Sequence, residues 1–418
     1  MIHRKDFQAG LIGRKLSHSF SPQIHAELAD YNYTLFELEP DDVGTFLQNG
    51  SFDATNVTIP YKKTVMPFLS QISEEAQKIG SVNTITRTAK GLKGDNTDYF
   101  GFSYMLQKSG IDVKNKKCLV LGSGGASVTV TAVLRDMGAE VIVISRTGEY
   151  NYSNLHLHKD AAVIVNTTPV GMFPFTGVSP VDLSLFPALS GVLDLIYNPA
   201  RTQLLLDAQK LNIPCINGLT MLTAQAKKAC ELFLDTSIDD SEIDRITAKI
   251  AQDSENIILI GMPGCGKSTA GKLLAEQTGR QFADTDEVIV QKAGMSIPDI
   301  FAKYGEAHFR KLEHEAVIEC AKKSGLVIAT GGGVIKTESN FDALHQNGKV
   351  IWLQRDLQLL PSDGRPLSQQ EGIMKLFAER KPLYERFCDA TAQCEADTTL
   401  TAQNILSAFT AAFKEETQ

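Results

Sequence analysis

Residues 261–269 read Gly-Met-Pro-Gly-Cys-Gly-Lys-Ser-Thr and stand between an apolar run at 257–260 and a helix-like stretch at 270–278. The glycines let the backbone curl so that successive N–H groups face one anion, at a helix N-terminus that already favours negative charge. Lys267 can then reach the outer phosphates of a nucleotide, and the Ser268 hydroxyl can ligate a magnesium ion. A turn that only caps a helix has no use for the Lys-Ser pair. The pattern therefore predicts a nucleoside triphosphate site on a strand–loop–helix unit. It begins well past the midpoint of a 418-residue chain, so a large body must precede it.

The surroundings point the same way. Strand-like apolar runs at 118–121, 141–144, 162–165, 257–260, 327–329 and 350–353 alternate with helical patterns, the signature of parallel α/β architecture. Length predicts two or three domains. The boundary is expected at 251–255, after a charged helical stretch at 241–250, and a five-residue linker spans at most about 18 Å. The longest apolar runs are strand-sized, which excludes a transmembrane helix. The opening MIHRKDFQAG has no apolar signal core, and seven cysteines without a CxxC pair read as reduced thiols, so a cytoplasmic protein is expected. A net charge of −8 favours neither a nucleic acid nor an anionic membrane as partner.

In the first half, the run at 119–121 enters Gly122, Ser123, Gly124, Gly125 and Ala126, followed by a helical stretch to residue 137 and a strand at 140–144. A strand, glycine turn, helix and strand in this order fit a dinucleotide site, with the pyrophosphate on the helix N-terminus. Where a NAD site would place an acidic residue on the ribose, this chain reads Ser145, Arg146 and Thr147, and an arginine can pair with the 2′-phosphate of NADP. Upstream, the segments at 56–62 and 94–98 carry Lys62 and Asp98 beside short polar residues, after strand-like runs. Reducing a ketone needs a hydride donor, a proton donor and a group that holds that donor. An aspartate beside a lysine orients the ammonium and favours its charged form.

Along essentially its whole length this first half resembles shikimate dehydrogenase. The matching segments are SHSFSPQIH (17–25), NVTIPYK (56–62), GSVNT (80–84), GDNTD (94–98), LGSGGAS (121–127), NTTPVGM (166–172), DLIYNP (194–199) and NGLTMLTAQ (217–225). The resemblance implies that Lys62 and Asp98 are the catalytic pair, with Lys62 exchanging the proton at the carbonyl oxygen. It implies that Ser19, Ser21, Thr58, Asn83, Tyr197 and Gln225, with Asp98, hold the substrate's carboxylate and hydroxyls. Leu195 and Gly218 would approach the nicotinamide through their backbone. Without the resemblance, Ser19 and Ser21 read as helix caps before Pro22. Two departures stand out. Only nineteen residues separate Arg146 from Asn166, so a helix and a strand are expected to be trimmed from the far edge of the sheet, weakening the adenosine end of the site. His156 and His158 in this stretch read as exposed polar residues, since no cysteine or carboxylate cluster completes a metal set. Tyr99 stands where a glycine often follows the NTD motif and is expected to reshape the pocket wall.

In the second half, Asp284-Thr285-Asp286 closes a strand-like run; on one strand face, one carboxylate would serve a metal and the other a substrate hydroxyl. Farther on come Gly305 to Arg310, Gly331 to Gly333, Arg365-Pro366-Leu367 and Arg380-Lys381-Pro382-Leu383-Tyr384. Phosphoryl transfer needs a metal, an oriented nucleophile and cations on the developing charge. Over about 254–414 these motifs resemble shikimate kinase. The resemblance implies that Gly264, Cys265, Gly266, Lys267, Ser268 and Thr269 cradle ATP, with Ser268 on Mg2+ and Asp284 in its outer shell. Asp286 would hold the substrate 3-hydroxyl and act as base. Arg310 and Arg380 would bind the carboxylate beside Gly332, and Arg365 would close over the phosphates from a mobile lid. The family often has another basic residue some positions before the Arg-Pro-Leu motif; this chain has Gln358 in that region.

The expected architecture is α/β throughout. An α/β substrate domain (1–99 and 219–250) and a Rossmann-type NADP domain (100–218) precede a P-loop kinase domain with a parallel sheet (256–418). The expected function is bifunctional: reduction of 3-dehydroshikimate to shikimate with NADPH, then phosphorylation of shikimate with ATP and Mg2+. Two other readings stay open, a quinate/shikimate dehydrogenase fused to a kinase and a ligand-sensing regulator with one inactive half. Arg146 argues against the first. The joint presence of Lys62, Asp98, Lys267, Asp286 and Arg310 argues against the second. Fusion by itself does not imply channelling, because a tether concentrates the partner domain rather than the metabolite. No oligomeric state follows from the sequence.

Overall fold

The computed structural model describes residues 2–16, 19–360 and 370–415 and divides into two compact units. The first comprises Met1–Gly171, Val178–Tyr197 and Leu204–Ile250; the second comprises Met172–Gly177, Asn198–Gln203 and Ala251–Gln418.

The first unit holds two sheets. Strands β1 (Ile2–Gly13), β2 (Ala29–Glu37), β3 (Ala54–Val57), β4 (Gln71–Ile72), β5 (Thr84–Thr88) and β6 (Gly91–Asp95) lie in the order 2-1-3-5-6-4. β3 is buried along its whole length and runs parallel to β1, and Ile12, Val57, Val82 and Ile85 share one core. The β5–β6 hairpin is antiparallel, with Thr84 opposite Asp95. The end of β3, the start of β5 and the end of β6 therefore meet at one edge, with Val57 N–H on the Asn83 carbonyl and Asn83 N–H on the Asp95 carbonyl.

The second sheet is wholly parallel: β7 (Lys117–Leu121), β8 (Glu140–Ile144), β9 (Val163–Asn166), β10 (Gly191–Asp194) and β11 (Cys215–Ile216), in the order 11-10-9-7-8. Val120, Val163, Val165 and Leu193 are fully buried, as strands covered on both faces require. β8 is the edge strand, and among the described residues the regular structure between it and β9 is one 3-10 turn, Leu155–His158. The short interval is thus spanned without a further strand, leaving β8 at the edge. His158, expected on the surface, is instead buried at the end of this 3-10 turn, its ring edge-on to Tyr150 with centroids 4.7 Å apart.

The second unit contains β12 (Asn256–Ile260), β13 (Gln281–Asp284), β14 (Leu326–Ala329), β15 (Gly348–Gln354) and β16 (Ala390–Gln393), all parallel in the order 13-14-12-15-16. Every residue of β12 is buried, so the phosphate-loop strand lies at the centre of the sheet. The expected linker at 251–255 is not extended: the helix Ser241–Ser254 runs through it. Two short segments expected in the cofactor domain, Met172–Gly177 and Asn198–Gln203, fall in this second unit. The reason is visible at Arg201, whose guanidinium is buried against Glu255 at 2.7 Å and donates to the carbonyls of His345 and Gly348 at 2.6 and 2.8 Å. A partner 54 positions away leaves no local pattern in the sequence. No helix among the described residues is long and apolar enough to cross a membrane.

Candidate active sites

The sheet edge of the first unit delivers Lys62 from the turn after β3. Its ammonium donates to Asp98 Oδ2 at 2.6 Å, with side chains only 16% and 9% exposed. Asp98 is not a loop residue; it opens the helix Asp98–Ser109. The Lys62 carbonyl accepts from Val82 N–H at 2.9 Å, tying the lysine to the segment that carries Asn83. Asn83 is nearly saturated. Its Oδ1 accepts from Thr97 N–H at 2.7 Å, and its amide donates to Thr97 Oγ1 at 3.1 Å and to Gln225 Oε1 at 3.4 Å. Gln225 reaches in from the helix Leu219–Leu234. Lys62, Asp98, Asn83 and Gln225 thus form one polar cluster around Thr97.

Ser19 and Ser21 form a neighbouring group, Oγ to Oγ at 3.1 Å. The helix Ser21–Leu28 has Phe20 as its N-cap, and although Phe20 makes no side-chain cap bond, Ser19 Oγ accepts from the Ser21 N–H at 3.2 Å, so Ser19 also serves the helix start. Tyr197 packs its ring on Phe20 with centroids 5.3 Å apart, and burial raises its phenol pKa. Thr58 closes the turn through its backbone, N–H on the Ile12 carbonyl and its own carbonyl on Tyr61 N–H. Behind this group stand two residues that the sequence reading passed over. Tyr33 donates to Asn56 Oδ1 at 2.8 Å and lies flat on His25, with centroids 4.1 Å apart. Burial pushes the His25 imidazole down to a pKa of about 3. His25 lies within the quoted motif, but only packing shows it as a neutral platform. Tyr99 points elsewhere: its hydroxyl donates to Asp136 at 2.9 Å and its ring packs against the core of the parallel sheet, so it does not line the cluster as expected.

At the glycine turn after β7, Gly122 has φ +107°, and a Cβ there would come within 2.8 Å of Thr167 Oγ1. The helix Gly125–Asp136 follows, N-capped by Gly124 without a side-chain cap, so its first N–H groups remain available to an anion. Ser123 is exposed and Ala126 half-buried in this first turn. Ser145, Arg146 and Thr147 follow β8; Arg146 is exposed and forms no ion pair among the described residues. A Cβ on Gly218 would collide with the Leu195 carbonyl, so only glycine lets these two backbone segments meet. An uncapped helix start, an unpaired arginine and a bare backbone junction suit a phosphorylated dinucleotide.

In the second unit the loop residues Gly261, Gly264 and Gly266 take φ values of +146°, +80° and +102°. The helix Lys267–Thr278 starts at Gly266 with no side-chain cap. The Lys267 ammonium is buried and donates to the carbonyls of Gly261 and Met262 at 2.9 and 3.0 Å. Ser268 Oγ donates to Asp284 Oδ2 at 2.6 Å, which juxtaposes a hydroxyl and a carboxylate oxygen, the hard donors that Mg2+ prefers. Asp284 ends β13, whereas Asp286 lies in the first turn of the helix Thr285–Ala293, its N–H on Asp284 Oδ1 at 2.9 Å. The expected pair on one strand face is therefore a strand end joined to a helix start.

Gly264, Gly266, Lys267, Ser268, Asp284 and Asp286 line a cleft of about 570 Å³ with Thr269, Arg310, Glu313, Gly331 to Gly333 and Arg380. Arg310 arrives on the helix Ile297–Ala321, beyond a break at Gly305, where φ is +79°. It pairs with Glu313 at 2.7 Å and Glu306 at 3.1 Å. Glu313, absent from the sequence reading, is fully buried; burial raises its pKa against the pull of Arg310. Its signal was the i, i+3 spacing from Arg310. A Cβ on Gly331 would stand 2.8 Å from Asp286 Oδ1 and 3.3 Å from Glu313 Oε1, so the glycines keep the cleft open. The Gly332 carbonyl accepts from Arg380 Nη1 and from the Tyr384 hydroxyl, each at 2.8 Å. Tyr384, one helical turn beyond Arg380, is the other residue the sequence reading missed. Arg365 lies outside the described residues.

A family model for shikimate kinase matches residues 263–410, and one for the shikimate dehydrogenase substrate binding domain matches residues 11–85. Shikimate dehydrogenase (NADP(+)) of Clostridium beijerinckii is 36% identical over 251 residues, covering 55% of this chain and 93% of that protein. A chorismate mutase/shikimate 5-dehydrogenase fusion protein from Clostridium acetobutylicum is similar at 40% identity and a TM-score of 0.55, over 58% of this chain and 96% of that one. Shikimate 5-dehydrogenase from Thermus thermophilus, solved with NADP(H) and shikimate, is similar at 30% identity and a TM-score of 0.54, over 60% of this chain and 99% of that one.

Proposed function

Since the chain belongs to the shikimate dehydrogenase family and also carries a shikimate kinase domain, making it a bifunctional enzyme of the shikimate pathway, we propose that it catalyses two consecutive reactions. The first reduces 3-dehydroshikimate to shikimate; the second phosphorylates the shikimate 3-hydroxyl. The observation that carries this reading is the coexistence of the Lys62–Asp98 pair with a phosphate loop facing an Asp/Arg cleft in one polypeptide.

In the first reaction bound NADPH supplies the hydride. Lys62 gives its proton to the carbonyl oxygen as negative charge develops there, and Asp98 holds the ammonium in place. Ser19, Ser21, Thr58, Asn83, Tyr197 and Gln225 orient the carboxylate and hydroxyls. The turn from Gly122 to Ala126 receives the pyrophosphate, Ser145, Arg146 and Thr147 the 2′-phosphate, and the Leu195–Gly218 junction the nicotinamide. In the second, Asp286 orients the 3-hydroxyl and accepts its proton, while Arg310 and Arg380 with Gly332 hold the carboxylate. Residues 264–269 cradle ATP, and Ser268 with Asp284 would hold Mg2+, which would neutralise charge on the transferred phosphoryl. We assign the substrate domain to 1–99 and 219–250, the cofactor domain to 100–218 apart from the segments 172–177 and 198–203 that pack with the second unit, and the kinase to 256–418, and place the protein in the cytoplasm.

The test mixes the full chain with 3-dehydroshikimate and NADPH, then adds ATP and Mg2+, following NADPH loss and product mass. NADPH consumption followed by a phosphate mass gain is expected. A preference for NADH would favour a quinate/shikimate dehydrogenase, and binding without turnover in one half would favour a ligand-sensing regulator.

A further inference from the structure

Arg355 follows the last residue of β15, the neighbour of the central strand that feeds the phosphate loop. The end of β15 lies against that loop, since a Cβ on Gly261 would sit 2.6 Å from the Leu353 carbonyl. The Arg355 guanidinium is aimed at the loop's last glycine, with Nη1 3.9 Å from where a Gly266 Cβ would stand. Beside it Cys394 donates its thiol to the Cys265 carbonyl at 3.0 Å, and Arg355 is near enough to oppose the rise that burial imposes on that thiol's pKa.

Two other cations near this cleft are neutralised. Arg310 has Glu306 and Glu313, and Lys336 has Glu306. Arg355 forms no ion pair among the described residues, although Asp356 follows it in the chain and Glu395 follows Cys394. It also stands beside the uncapped start of the helix Lys267–Thr278. A helix N-terminus carries a partial positive charge, so a half-buried guanidinium there is repelled unless an anion bridges the two. We infer that Arg355 is a nucleotide ligand of the kinase half, donating from the far side of the phosphate loop to a phosphate oxygen seated on the N–H groups around Gly266. This rests on the kinase reading above and adds to it a residue outside the Asp/Arg cleft.

The experiment measures ADP binding to the full chain by calorimetry for the parent, Arg355→Met and Arg355→Lys, with steady-state phosphorylation alongside. Arg355→Met is expected to weaken ADP and to raise KM for ATP by about tenfold or more, the loss of one charge-assisted bond. KM for shikimate, reduction by the first unit and the melting temperature should hold, and Arg355→Lys should recover part of the loss. ADP affinity equal to the parent's in Arg355→Met would overturn the assignment. So would an equal weakening of shikimate, which marks general disruption of the unit. Tight ADP binding by a parent chain that phosphorylates no shikimate would instead overturn the kinase reading and leave Arg355 in place, because the ADP measurement needs no turnover.

Discussion

The two candidate sites handle charge in opposite ways. In the first unit the proposed catalytic cation and carboxylate bind each other directly, Lys62 on Asp98 at 2.6 Å. In the second, Lys267 lies on the carbonyls of its own loop, and among the described residues no carboxylate neutralises it. The difference follows from the chemistry each arrangement suits. A hydride and a proton added to a ketone leave the site's net charge almost unchanged, so a mutually neutralising pair is enough. Phosphoryl transfer gathers negative charge on the phosphate oxygens, so positive groups must be kept in reserve by weak neutral partners.

The sharpest way to break this comparison is to delete each cation in turn. Lys62→Met is expected to lower kcat for reduction by about 10²–10⁴-fold, the usual worth of a positioned general acid, while phosphorylation stays intact. Lys267→Met should do the reverse. Both rates measured on one preparation decide the matter, and joint loss in either variant would contradict two separate chemistries.

The next effect concerns stability. Arg201→Met strands Glu255 in a buried position and is expected to destabilise the second unit by about 3–5 kcal/mol. Thermal unfolding followed by loss of phosphorylation would read this, and Arg201→Met with Glu255→Leu should recover much of it. An unchanged transition would mean that the 198–203 segment is not integral to the second unit.

A third prediction concerns acid and the first unit. His25 has its pKa pushed down from 6.5 to about 3 by burial. Between those values the unfolded chain binds a proton that the folded one does not. Stability is therefore complete above pH 6.5 and falls as pH drops toward 3, by up to about 1.4 kcal/mol per pH unit. His25→Phe should flatten the pH dependence of the melting temperature between pH 6.5 and 4.5; an unaltered slope would show that other groups carry it.

The smallest effect sharpens the view of the second cleft. Tyr384→Phe removes one of two donors to the Gly332 carbonyl, an expected cost of about 1 kcal/mol. It should appear as a several-fold rise in KM for shikimate at nearly constant kcat. A fall in kcat alone would place the tyrosine's influence on the phosphoryl transfer step instead.

Much of the fold was legible because it is written in local patterns. β8 and β12 stand where apolar runs predicted them, and the phosphate loop and glycine turn sit where their spacing put them. The short interval from Arg146 to Asn166 announced the bare sheet edge. The candidate sites were legible wherever a residue lies inside a short motif, as Lys62, Asp98, Ser268 and Asp284 do. Tyr33 and the burial of His158 were not, and Tyr384, though inside a quoted motif, showed no role there, because each owes its place to a partner on another turn, strand or helix.

The chain by itself determined its α/β class, the parallel strands around the glycine turn and the phosphate loop, and the kinds of group proposed to meet phosphate and ketone, since periodicity and short motifs act over a few neighbouring residues. Tertiary structure alone decided that the helix Ser241–Ser254 replaces a linker, that Asp284 and Asp286 meet across a strand–helix junction, and that Arg201 belongs with Glu255. A buried charge must find its partner wherever the chain brings one, and that distance is set by packing rather than by sequence separation.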